Sequence, residues 1–255
     1  MTIWVRFEEQ GRPGFGTLAG DKIEIHEGDM FAGAKPTGRS VALAAVALAI
    51  PCVPSKFIGL WNNFHALAEK NNFKEPAEPL YFFKSANAYQ PANTRIPRPK
   101  SYPGRVVYEG ELGIVIGKRC TAVSEAEAAA HIFGYTCVND VTGFDVLNKD
   151  PAFPQWARAK SYDGFGVFGP GIATGLDPDK LVIRTLLNGE ERQNYPVADM
   201  FFRPHRLVSL ISQDLTLLPG DLIACGTSLG AGSMKPGAKI EISIDGVGVL
   251  SNTME

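Results

Sequence analysis

Apolar and polar residues alternate in short runs along much of this 255-residue chain, and glycines separate the runs. In "TIWVRFE", "FGTLAG" and "KIEIHEG" the alternation has a period of two, the mark of half-buried strands, so the first thirty or so positions predict a small antiparallel sheet. The pattern changes after "AIPCVPSK": "FIGLWNNFHALAEKNN" starts apolar and ends amphipathic, which predicts a strand running into a short helix. We place the boundary near Pro51 to Pro54, dividing a small N-terminal β domain (1–52) from a larger domain (53–255). In "SEAEAAAHIFG", Ser124 and Glu127 have capping-box spacing and Gly134 follows an alanine run, predicting a short helix with a glycine stop. That helix separates two apolar strands, "VVYEGELGIVIGK" and the first half of "YTCVNDVTGFDVL". Asn188-Gly189 and Asp245-Gly246 each lie between strand-like runs, predicting type I′ hairpins, and "PHRLVSLISQDL" predicts a helix from Pro204 to just before "LPGD". The fold class is mixed α+β and predominantly β, without internal repeats.

Composition narrows this picture. At 45% hydrophobic and 20% charged the chain can build one substantial core, and 27 glycines with 18 prolines agree with many turns. A formal charge of -2 with no Lys/Arg run provides no electrostatic footprint for nucleic acid or an anionic membrane, which leaves small molecules or proteins as partners. Cys52, Cys120, Cys137 and Cys225 lack paired spacing, so neither a zinc site nor a disulfide framework is indicated and a reducing cytoplasm fits. "MTIWVRFEEQ" carries charge where a signal peptide needs an apolar core, and "VALAAVALAIPCVP" is too short and proline-broken to span a bilayer.

The chemistry begins with "VVYEGELGIVIGK", where Glu109 and Glu111 interrupt an apolar strand. Residues two apart on a strand share a face, so these carboxylates lie roughly 7 Å apart. At an effective dielectric of about 20 they repel by on the order of 2 kcal/mol. Either water or a cation compensates them. Asp140 interrupts a second apolar strand in "CVNDVTG". It either ends that strand and caps the turn at Thr142-Gly143, or joins the glutamates in an all-oxygen site suited to a hard dication such as Mg²⁺. Lys160, ordinarily a surface residue type, would near such a site stabilise an enolate or oxyanion. His65, at the strand-to-helix change with Glu69 behind it, is either a half-exposed helix-start histidine or a general base. The Gly/Ser-rich loop around Thr227 is either a plain turn or an anion-binding loop. "GFGVFG" matches G-x-G-x-x-G, but the prolines and glycine that follow point to tight β turns rather than a dinucleotide site. Arg105, Tyr162, Arg203 and Arg206 are further candidates for contacting a substrate carboxylate. Two other classes stay open: a non-catalytic β protein stapled by a cation, and a nucleotide-dependent enzyme using "GFGVFG".

Taken together, "FIGLWNNFHALAEK", "YFFKSANAYQP", "YEGELGIVIGKRC", "GYTCVNDVT", "QWARAKSYDGFGVFGPGI", "LLNGEERQN" and "LLPGDLIACGTSLGAG" resemble the fumarylacetoacetate hydrolase family in order and spacing as well as wording. The resemblance runs from about Ser55 to the C-terminus, and the first fifty residues resemble a small N-terminal domain often attached to that core. It implies a mixed β-sheet roll, usually a homodimer, with Glu109, Glu111 and Asp140 holding Mg²⁺ or Mn²⁺. Lys160 matches the family's active-site lysine, and Gly226 and Thr227 its Gly-Thr substrate loop, with Tyr162 as a further substrate contact. His65 matches the histidine of a mobile lid. Many small members place a glutamate three positions later to form a water-activating pair, whereas here that position is Ala68 and the glutamate is Glu69. The implied activity is C–C bond hydrolysis of 2-oxo acids of the acylpyruvate or diketo type through an enolate held at the metal. The alternative is decarboxylation or isomerisation of oxaloacetate-like or 2-hydroxyhepta-2,4-dienedioate-like acids in aromatic catabolism.

Overall fold

The protein is described here from a computed structural model covering residues 1–255. The period-two runs at the start become β1 (Thr2–Glu9), β2 (Arg12–Ala19), β3 (Lys22–Glu27) and β4 (Lys35–Ala42), an antiparallel meander with its own small core of Val5, Phe7 and Ile23. Then follow β5 (Phe57–Trp61), α1 (His65–Asn71), β6 (Leu80–Lys84), β7 (Gly110–Ile116), α2 (Glu125–Ala128) and β8 (Ile132–Asp140). The short helices α3 (Phe144–Leu147) and α4 (Trp156–Lys160) lead to β9 (Gly166–Thr174) and the hairpin of β10 (Val182–Leu187) and β11 (Glu190–Pro196). The chain closes with α5 (Pro204–Asp214), β12 (Leu222–Ala224), β13 (Lys239–Ile244) and β14 (Gly248–Met254).

A mixed twelve-stranded sheet runs β4-β3-β2-β1-β9-β8-β7-β12-β5-β6, with Ala47–Leu48 attached to β1 and Tyr89–Gln90 to β9. The N-terminal meander therefore does not stand apart as a sheet. Thr2, Ile3 and Trp4 pair with Thr174, Ala173 and Ile172, which satisfies the second edge of β1. A five-stranded sheet, β11-β10-β13-β14 with Arg95–Ile96, packs across the middle of the first. Leu112, Ile114 and Ile116 of β7 share a core with Ile183, Ile240, Ile242 and Ile244 of the second sheet and with Leu207, Val208 and Ile211 of α5. The opposite face of the central strands buries Val115, Val138, Phe168 and Leu222 against Phe57. Burial on both faces is why these strands read as continuous apolar runs rather than alternating ones.

Four local expectations meet different outcomes. The Ser124–Glu127 capping box forms, with Ser124 N–H donating to Glu127 Oε2 at 2.9 Å, but Gly134 is not the stop. A 3₁₀ turn over Ala129–His131 leads directly into β8, and Gly134 is a strand residue at which a Cβ would lie 2.3 Å from the Ala173 carbonyl oxygen. Gly134→Ala is accordingly expected to lower stability by about 1–3 kcal/mol through overpacking between β8 and β9. A chemical-denaturation midpoint identical to that of the parent would show that the two backbones do not approach so closely. Asn188 and Gly189 both have positive φ, 53° and 82°, and Leu187 faces Glu190, as a type I′ turn requires. At Asp245-Gly246, Gly246 is at positive φ and Asp245 is not. Ile244 pairs with Gly248 across a three-residue loop, because Val247 turns inward and is buried. "GFGVFG" enters β9, which continues to Thr174 with no helix after it, so the dinucleotide reading has no structural basis.

Candidate active site

Glu109 lies where the three-residue strand Val106–Tyr108 passes into β7, Glu111 is the second residue of β7, and Asp140 is the last of β8. Antiparallel pairing sets Glu111 opposite Val138 and Gly110 opposite Asn139. Asp140 N–H donates to the Glu109 carbonyl at 2.9 Å, and Glu109 N–H donates to Asn139 Oδ1 at 3.1 Å. One oxygen from each of the three carboxylates lies within 4.8 Å of the others. Glu111 and Asp140 are fully buried, and the Glu109 side chain is 18% exposed.

Two lysines face this cluster. Lys160, the last residue of α4, places Nζ 2.6 Å from Glu109 Oε2 and 2.5 Å from Asp140 Oδ2, and 4.8 Å from the centre of the Phe82 ring. Lys84, the last residue of β6, pairs with Asp140 Oδ1 and donates to the Val141 carbonyl at 3.1 Å. Sequence reasoning did not select Lys84. Counted as ions, three carboxylates outnumber two ammonium groups by one, and Glu111 is the carboxylate that pairs with neither lysine, accepting only the Gly226 N–H, at 2.8 Å. Burial, reinforced by Asp140 and Glu109, pushes its carboxyl well above the usual range. Burial would also raise Asp140, but Lys160 and Lys84 hold it below its ordinary value. For Lys160 burial disfavours the charge and the surrounding carboxylates outweigh it, so the ammonium is held protonated. An all-oxygen donor set with one buried carboxylate paired to no cation fits Mg²⁺ or Mn²⁺, and the lack of His or Cys argues against a softer ion.

The other candidates divide into those at the cluster and those away from it. Gly226, at φ 89°, carries the N–H that binds Glu111, and Thr227 Oγ1 donates to the Gly110 carbonyl at 3.1 Å, so the Gly-Thr loop adjoins the glutamates. Tyr162 stacks on Tyr102 and meets Phe165 edge-on, and its hydroxyl has no hydrogen-bond partner. His65 is exposed at the start of α1 with its ring centre 4.0 Å from that of Phe201. No hydrogen bond or ion pair joins His65 to Glu69, which is exposed one turn further on; the carboxylate at this helix start is Asp199, which accepts the Ala66 N–H at 3.1 Å. A formed His65–Glu69 pair is therefore not present. Arg105 is held by Asp145, Arg203 by Asp179, and Arg206 lies over Phe202, so none of these arginines contacts the cluster. Trp61, Leu80, Tyr81, Phe82 and Trp156 line an apolar cavity of about 390 Å³, with Trp156 stacked on Phe82 at 5.2 Å.

Residues 56–255 match the family model described as "Fumarylacetoacetate (FAA) hydrolase C-terminal", and residues 4–51 match "Rv2993c-like, N-terminal". The oxaloacetate tautomerase YisK of Bacillus subtilis is 33% identical over 91% of this chain and 83% of its own. A 2-hydroxyhepta-2,4-diene-1,7-dioate isomerase from Mycobacterium marinum superposes with a TM-score of 0.91 at 34% identity, covering 100% of this chain and 98% of that one. A fumarylpyruvate hydrolase from Pseudomonas aeruginosa, solved with Mn²⁺ and pyruvate, gives 0.73 at 28% identity over 79% and 89% of the two chains. With the motifs, the sheet architecture and the acidic cluster in agreement, the chain belongs to the fumarylacetoacetate hydrolase family.

Proposed function

We propose that the protein is a divalent-metal-dependent enzyme that forms an enolate from a 2-oxo acid and releases it by isomerisation or decarboxylation. The observation that carries this reading is the buried Glu109–Glu111–Asp140 cluster, faced by Lys160 and Lys84, with Glu111 paired to neither lysine. Glu109, Glu111 and Asp140 would hold Mg²⁺ or Mn²⁺, which when bound supplies positive charge to the carboxylate and adjacent oxo oxygen of the substrate. Lys160 adds a second, preorganised charge for the oxygen on which the enolate develops. The apolar cavity that shares Phe82 with Lys160 would take the remainder of the substrate. The Bacillus subtilis tautomerase and the Mycobacterium marinum isomerase support this branch of the chemistry.

Hydrolysis of a C–C bond in an acylpyruvate is the second reading, favoured by His65 on α1 and by the similarity to a fumarylpyruvate hydrolase. It requires a base to activate water, and we rank it second because His65 and Glu69 make no contact. A homodimer in a reducing cytoplasm completes the proposal; four buried free cysteines support the compartment. Proton NMR of metal-stripped protein given oxaloacetate, acetylpyruvate and benzoylpyruvate, with and without Mn²⁺, separates the branches. Metal-dependent enolisation of oxaloacetate, or pyruvate formation from it, with both acylpyruvates intact is the expected result. Acetate or benzoate released together with pyruvate would establish hydrolysis instead. No metal-dependent change in any of the three would overturn the reading as a whole.

A further inference from the structure

Gly110, the residue between the two metal-ligand glutamates, has the peptides on both sides of its Cα held by groups remote in sequence. Its N–H donates to Gln193 Oε1 at 3.0 Å. Its carbonyl accepts from the Tyr195 hydroxyl and, at 3.1 Å, from Thr227 Oγ1. Gln193 Nε2 in turn donates to Thr227 Oγ1 at 2.8 Å, linking the groups that hold the Glu109–Gly110 peptide to those that hold the Gly110–Glu111 peptide. Gln193 and Tyr195 are both buried, and as residues two apart on β11 they project from one face of that strand. β11 belongs to the five-stranded sheet, so the second sheet reaches across the core to hold the strand that carries the carboxylates.

We propose that Gln193 and Tyr195 are positioning residues for the metal centre, setting the relative placement of Glu109 and Glu111 by holding the two peptide planes on either side of the Gly110 Cα and so fixing its φ and ψ. Rotation about the bonds flanking Gly110 would carry one glutamate away from Asp140, and glycine resists such rotation less than any other residue. A side chain cannot supply the restraint, because a Cβ at Gly110 would lie 2.1 Å from Thr185 Oγ1. The restraint is therefore provided by hydrogen bonds to the backbone. The Tyr195 ring is itself fixed edge-on against Phe64, with ring centres 5.0 Å apart, so its hydroxyl cannot swing away. Thr227 belongs to both systems: the hydroxyl that links Gln193 to the Gly110 carbonyl sits on the loop whose Gly226 N–H binds Glu111.

The inference rests on the proposed function in one respect, that Glu109 and Glu111 bind the metal, and the test separates the two ideas. Mn²⁺ affinity is measured by electron paramagnetic resonance on metal-stripped parent, Tyr195→Phe, Gln193→Leu and the double variant, alongside thermal melting. Tyr195→Phe removes a single oxygen and is the primary variant should Gln193→Leu fail to fold. Each single substitution is expected to weaken Mn²⁺ binding by about 10–100-fold, the usual effect of removing a partner that orients a metal ligand. The double variant should lose less than the product of the two, because both groups restrain the backbone of the one residue, Gly110. Affinities equal to that of the parent in folded variants would overturn the clamp and leave the metal site standing. A parent that binds no Mn²⁺ would overturn both.

Discussion

Replacing Glu111 with glutamine is expected to stabilise the metal-free protein while removing its response to metal. Glu111 is 1% exposed and meets no cation, so its ionised form carries the full cost of burial and the repulsion of Asp140 and Glu109. Glutamine has the same shape and retains an oxygen for the Gly226 N–H, but brings no charge. Relief of that cost is worth on the order of 1–3 kcal/mol in the metal-free state. With one ligand charge gone, Mn²⁺ should no longer raise the melting temperature at concentrations that saturate the parent, and turnover of the 2-oxo acid should fall by roughly 10²–10³-fold or more. The opposite signs are the diagnostic feature, since a merely structural glutamate would lose stability on substitution. Glu111→Gln protein that still binds Mn²⁺ with parental affinity would exclude Glu111 as a ligand.

Lys160→Met should behave in the reverse way. Its side chain is 4% exposed and its ammonium pairs with Glu109 and Asp140, so its removal leaves Glu109 without a cation and Asp140 with Lys84 alone. Breaking one side of such a pair costs about 3–5 kcal/mol. Mn²⁺ should restore part of that loss by neutralising the same oxygens, about 2.7 kcal/mol at a hundredfold excess over Kd. Turnover should not recover with stability, because the charge that meets the developing enolate is gone; a deficit of roughly 10²–10³-fold at saturating metal is expected. Lys84→Met is the informative comparison. Lys84 is committed to Asp140 Oδ1 and the Val141 carbonyl, so its loss should cost similar stability with a smaller effect on kcat. Undiminished turnover by Lys160→Met would remove the lysine from the chemistry.

Which of these features could be read from the chain depended on whether the signal was local. Glu109, Glu111 and Asp140 stand out because a carboxylate within an apolar strand is costly to bury alone and so advertises a partner. The capping box at Ser124, the Asn188-Gly189 turn and the helix from Pro204 are likewise set by a few adjacent residues. Lys160 needed the family motif, since lysine is ordinarily solvated. Lys84 ends "YFFK" and reads as a solvated strand terminus until β6 is seen beside the cluster. Gln193 and Tyr195 lie in "EERQNYP", a polar run that resembles an exposed hairpin arm, and nothing within it reveals that one face meets β7. Gly134 was misplaced because an alanine helix followed by glycine is the usual C-terminal pattern, whereas the reason for this glycine is the Ala173 carbonyl, forty residues further along the chain. Pairing partners of this kind come from topology, which local periodicity does not encode.

The junction of β1 with β9 has a consequence for how the chain avoids sticking to itself. Without β1, the Ile172–Thr174 end of β9 would present unpaired backbone donors and acceptors along a strand that is otherwise buried, an adhesive template for another molecule's strand. The meander covers that template and moves the open margin of the sheet outward to β4. There "KPTGRSVA" offers two cations, a proline and a positive-φ glycine, and most of its residues are exposed, a composition that discourages strand addition. The N-terminal fifty residues thus exchange an apolar margin of the sheet for a polar one.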